Sequence, residues 1–216
     1  EPLVTGTIQS VLSNLGTHFQ NNDRHDPRHN TDGTTHPHIT ALFRSFKKSD
    51  PKEKAQKAIT PEVLAYLWTQ GKGNDAFMTH IADLCNCAFF FACRSCEYSN
   101  TTGTRRTKII TLRNIVFRKK NKVITQLNLL HTADTVSITF VLQKNESFFE
   151  TVTQHRNSSS IQNPVIVWAS IYRRVMKTPG ATIDTPVNAF YNSTTDRTEY
   201  VTSDQILKSL RWAVDE

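Results

Sequence analysis

The chain has 216 residues, with 26 Lys and Arg against 19 Asp and Glu, a formal net charge of +7, and 38% hydrophobic residues. That apolar content supplies a core for one large domain or a domain and part of another, and the longest apolar run, around Ala88–Cys93, falls far short of the ~20 residues a membrane helix needs. The basic balance favours an acidic partner such as nucleic acid, and the clustering of the charge says more than its total.

Thr5 to Phe19 carries Ile8, Val11, Leu12, Leu15 and Phe19 at helical spacing, and Gln20 to Pro37 is rich in Asn, Asp, His, Gly and Pro, so a helix runs into a loop. Five of the eight histidines, His18, His25, His29, His36 and His38, gather here. With no partnering cysteine and no repeated ligand spacing, they read as a solvated polar loop ahead of a metal site. Ile39 to Phe46 predicts a short helix, and the charged stretch Lys47–Lys52, broken by Pro51, predicts a linker. The expected organisation is a helical unit over 1–46, a linker over 47–59 and a larger domain over 60–216.

Thr60-Pro61 reads as an N-cap with proline at the first helical position, opening a helix through Val63, Leu64, Leu67 and Trp68 that ends at Gly71 or Gly73. A second helix is expected over Asp75–Tyr98. All four cysteines, Cys85, Cys87, Cys93 and Cys96, fall within it, at spacings that make no disulfide framework. Cys85 and Cys87 would point about 200° apart, so reduced core thiols come ahead of a zinc site. Arg94 closes the same greasy stretch. A guanidinium there is costly to desolvate unless it is paired or faces a cleft. Either Glu97, three residues on, pairs with it and fixes the helix end, or Arg94 serves a site.

From Tyr98 to Ala133 there is no Asp or Glu, while Arg105, Arg106, Lys108, Arg113, Arg118, Lys119, Lys120 and Lys122 give eight cations. One-signed charge just after Arg94 suggests a polyanion, although a solvated basic face accounts for any one of them. Lys108–Leu112, Ile115–Phe117 and Val123–Ile124 form β-like runs. Val136, Ile138, Phe140 and Leu142 alternate with mostly polar residues, and Phe148 to Thr153 returns as a hairpin with Lys144 near its tip. Asn163-Pro164 caps a helix ended by Pro179-Gly180, and Thr202 with Gln205 makes a capping box for a last helix. The expected fold is α+β, mainly helical, with a small antiparallel three-stranded sheet.

This order, with the phrases Ala88–Tyr98 (AFFFACRSCEY), Arg105–Ile115 (RRTKIITLRNI), Gln143-Lys144-Asn145 and Thr151–Arg156 (TVTQHR), resembles the tyrosine recombinases, and among them those of Crypton- and DIRS-type mobile elements. The resemblance begins at about Thr5. It implies the end of a helical core-binding domain, a linker and the N-terminal part of a catalytic domain. It also implies nuclear DNA breakage and rejoining through a phosphotyrosyl bond, without cofactor or metal, and oligomers on double-stranded DNA.

By that resemblance Arg94 is a catalytic arginine with Glu97 as its support, and Lys144 is the hairpin lysine; on the residues alone Lys144 is an exposed turn lysine. Arg105, Arg106, Lys108, Lys119, Lys120, Lys122 and Arg156 would hold DNA phosphates, giving salt-sensitive affinity with little sequence information. After Lys144 the chain carries neither the family's His-x-x-Arg motif nor its nucleophilic tyrosine; Tyr98, Tyr191 and Tyr200 do not qualify by position, nor does His155-Arg156 by spacing. The expectation is an incomplete recombinase that binds without cutting, or a non-catalytic DNA-binding or interaction protein on the same scaffold. The chain starts at Glu1 without Met and stops within an apparent helix, so a fragment is expected. No secretory signal is recognisable, so the protein is expected to be intracellular, and the Asn-x-Ser/Thr sequons at Asn100, Asn145, Asn157 and Asn192 read as chance occurrences.

Overall fold

A computed structural model describes residues 3–51, 58–71, 76–102, 107–143, 148–159 and 161–215. The chain divides into two compact units, Glu1–Lys57 and Ala58–Glu216. The described residues form a mixed α+β structure with seven α-helices.

The first unit pairs helix α1 (Thr5–Asn21) with α2 (Pro37–Ser49). Helix α2 runs on through Lys47–Ser49, residues read above as linker. Asp50 then folds back, its Oδ1 accepting the Thr5 amide at 2.9 Å. Between the helices Asp26 is buried and grips Arg28 at 2.6 Å. This ion pair lies against Gly16, where a Cβ would collide with both side chains.

In the second unit helix α3 (Pro61–Gly71) packs on α4 (Ala76–Phe91). A side chain at Gly71 would stand 2.9 Å from the Met78 carbonyl oxygen, so only glycine lets the two helix ends approach so closely. Every residue from His80 to Ala88 is buried, which makes α4 the central helix. Helix α6 (Pro164–Met176) and the last helix, α7 (Ser203–Asp215), also pack on it. Asn163 caps α6 as its sequence predicts, its Oδ1 accepting the amides of Val165 and Ile166 at 3.1 and 3.3 Å.

The sheet has four antiparallel strands rather than the three expected: β1 (Ile115–Lys119), β2 (Lys122–Val123), β3 (Thr135–Leu142) and β4 (Phe148–His155), in the order β2-β1-β3-β4. Lys120 and Asn121, both at positive φ (46° and 63°), make the two-residue turn from β1 into β2. Ile115, Phe117, Val136, Ile138 and Phe140 face the core. On the other face Ser137 and Thr153, and Thr139 and Thr151, pair through hydroxyls 2.8 Å apart.

Residues 108–112 join no sheet; the Ile110 amide binds the Glu97 carbonyl at 2.8 Å and that of Leu112 binds Thr185 at 3.1 Å. A hairpin of β5 (Ala189–Asn192) and β6 (Arg197–Tyr200), absent from the sequence expectation, completes the unit.

Candidate functional site

Arg94 is not inside a helix. Helix α4 stops at Phe91 because Ala92 turns left-handed (φ 49°). The Ala92 amide then reaches the Phe89 carbonyl at 3.3 Å, and that of Cys93 reaches Ala88 at 2.9 Å, the bond pair that closes helices through a left-handed residue. The expected helix over Asp75–Tyr98 is therefore two helices, and Arg94 is the extended N-cap (φ −75°, ψ 148°) of a short one, α5 (Ser95–Tyr98).

The buried charge of the Arg-x-x-Glu pair is the acid. Glu97 keeps 3% of its side chain exposed and Arg94 keeps 46%. Glu97 accepts the Arg94 backbone amide at Oε2 (2.8 Å) and the guanidinium Nη1 at Oε1 (3.3 Å). One carboxylate thus caps α5 and steers the arginine: Glu97 fixes a helix end, and the guanidinium still reaches solvent.

Arg94 and Glu97 line a groove of about 420 Å³ with Phe140, Gln143, Glu150 and Gln154. Gln154 joins its two sides, its Nε2 donating to the Phe90 carbonyl at 2.8 Å and so holding β4 to the end of α4. Gln143 is the residue before Lys144. Lys144 itself lies outside the described residues, as do Arg105 and Arg106. Glu150 adds a second carboxylate to the wall.

The other expected phosphate-binding residues do not form one stripe. Lys108 is exposed at the hairpin end of the sheet, its amide 3.4 Å from the Leu142 carbonyl oxygen. Lys119, Lys120 and Lys122 are exposed at the other end, beside the start of β3. An eight-residue strand at ~3.3 Å per residue separates the two ends by roughly 23 Å. Arg156 is engaged with the backbone: its Nε donates to the Ala133 carbonyl at 2.8 Å and its Nη2 to that of His131. Arg113 forms a two-pronged pair with Asp184 at 2.7 and 2.8 Å.

Burial pushes the Cys85 thiol up to about 12, and it raises the Cys87 and Cys93 thiols as well, so these sulfurs stay protonated. Among the described residues no three His, Cys, Asp or Glu side chains are placed to hold a metal, and no helix is long and apolar enough to cross a membrane.

Sequence reading missed a second charged cluster. Arg174 on α6 donates to His80 Nδ1 at 2.8 Å and to Asp83 Oδ2 at 2.6 Å, both on α4. Because arginine can only donate, Nδ1 accepts and the ring proton sits on Nε2, which faces the Val187 backbone without meeting hydrogen-bond geometry. Burial, with the adjacent Arg174 charge, pushes the His80 pKa down to about 3, so the ring is neutral. The cluster fixes α4, which ends three residues before Arg94, against α6. Comparisons with protein-family models, with characterised proteins and with solved structures give no match to this chain.

Proposed function

We propose that the chain is the DNA-binding part of a tyrosine-recombinase catalytic domain, in which Arg94 holds a backbone phosphate and Glu97 positions it. The observation that carries this reading is the exposed guanidinium at a groove, braced from behind by a buried carboxylate. A guanidinium fork suits a phosphate whose oxygens gather charge as a strand is cut, because its donors are fixed in direction and never lose their protons. Lys144, following Gln143 in the hairpin, is assigned as the second cation, a movable ammonium suited to a leaving oxygen or a minor-groove contact. With no His-x-x-Arg and no placed tyrosine nucleophile after Lys144, this chain binds DNA and does not cut it.

Fluorescence anisotropy with a labelled duplex tests the reading. Arg94→Ala should weaken binding about 10-fold or more, the worth of a charge-assisted phosphate contact. Glu97→Gln should weaken it less, since Arg94 keeps its charge and loses its brace. Affinity should fall as salt rises, with a log–log slope of about −0.9 per phosphate neutralised. Equal affinity for wild type and Arg94→Ala would overturn the assignment, and nicking of a supercoiled plasmid by the purified chain would contradict its lack of cleavage.

A further inference from the structure

The β3–β4 hairpin carries two aromatic side chains in water. Phe148 is 63% exposed and its neighbour Phe149 is 70% exposed. Phe149 is held at φ 55°, a left-handed conformation that a bulky residue adopts only under strain. No residue is inserted there, because Leu142 pairs with Phe148 and Phe140 pairs with Glu150 in the same register on either side of it. That register also places Phe148 on the sheet face of Phe140 and Glu150, which line the Arg94 groove. Phe148 therefore lies one pleat beyond Glu150, about 7 Å along the strand, where the groove wall continues into solvent.

A second protein seated here would have to bury the exposed cation Lys108, whose amide lies against Leu142, and the carboxylate Glu150 along with the rings. A nucleic acid needs no such burial, since its bases offer apolar π-faces to the aromatics and its phosphates meet Arg94 and Lys108. We propose that Phe148 forms a stacking platform for an unpaired base of the DNA strand whose phosphate rests at Arg94. The inference rests on the DNA reading above. It adds a preference for locally unpaired DNA that phosphate contacts alone do not give.

The test compares a duplex with the same duplex carrying one bulged 2-aminopurine, using the whole chain. Wild type should bind the bulged duplex about tenfold tighter, the scale of one base–aromatic stack, and should quench the 2-aminopurine. Phe148→Ser should lower that preference toward one while leaving affinity for the paired duplex within about twofold. Phe149→Gly, on the opposite sheet face, should leave that preference in place and, by releasing the left-handed strain, should keep or raise the melting temperature. A preference that persists in Phe148→Ser overturns the platform. So does a wild type that binds paired duplex through Arg94 with no preference for the bulge, in which case the DNA reading stands alone. Variants that change only the sedimentation coefficient would assign the rings to contact between copies and overturn it too. If Arg94→Ala leaves duplex affinity unchanged, the DNA reading fails first and the platform falls with it.

Discussion

His80 sits at the α4–α6 contact with its Nδ1 committed to Arg174 and its ring fully enclosed, so the folded protein has no place for a second proton on it. In the unfolded chain the same imidazole titrates near 6.5. Between that value and about 3 the unfolded state binds a proton that the folded state refuses, so this contribution to stability is complete above pH 6.5 and declines as pH falls through the window. The slope is about 1.4 kcal/mol per pH unit. Urea midpoints should show a loss of about 2 kcal/mol from pH 7 to pH 5; a flat profile would contradict a buried neutral ring. Arg94 was legible because a guanidinium closing an apolar run has a stated desolvation cost. The same cost marks His80 and Asp83 within α4, and that signal was present in the sequence. Their partner Arg174 was not legible, since it lies 91 positions from Asp83 and no local rule joins them.

Helix α4 ends at a residue that carries no punctuation. Alanine is the best helix former, and here it occupies the left-handed closing position that glycine fills at least cost. Ala92→Gly should therefore stabilise the protein by about 0.5–1 kcal/mol, offset in part by the freer unfolded chain. A melting temperature raised by roughly 2–4 °C checks it, and a fall would show that the methyl group has a packing role. Ends fixed by side-chain caps could be read directly: Asn163 before α6, and Thr202 with Gln205 before α7, where the Gln205 Oε1 accepts the Thr202 amide at 2.9 Å. The break at Ala92 could not, although the half capping box between Arg94 and Glu97 was a usable sign that a new helix starts there. The β5–β6 hairpin had a signal too, since the Asn192 side chain accepts the amides of Thr194 and Thr195, as polar turn residues do. Residues 108–112 are β-like in composition, yet the Ile110 amide goes to α5 and that of Leu112 to a loop, a choice made by tertiary neighbours.

At the scale of the whole molecule, every buried apolar side chain among the described residues lies between Leu64 and Ala213. Among its described residues the first unit buries only Thr5, Gly16 and Asp26, and leaves Val11, Leu15, Leu42 and Phe46 exposed. Stability of this kind is carried by apolar area withdrawn from water, so the second unit should hold nearly all of it. A protein of residues 58–216 should unfold cooperatively with a urea midpoint close to that of the full chain, and a peptide of residues 1–57 should show no sharp transition. Circular dichroism on the two pieces checks this, and a non-cooperative 58–216 would mean that the first unit contributes to the core.

The two outer margins of the four-stranded sheet are unequal: β4 ends it with eight residues and β2 with two. A long outermost strand is a template on which another chain can lay hydrogen bonds, and growth into a fibre requires a matching template on the far side. Here the far side is too short to recruit a further molecule. Any lateral joining of these sheets is confined to two copies meeting β4 to β4 about a twofold axis, a geometry that closes on itself and cannot polymerise.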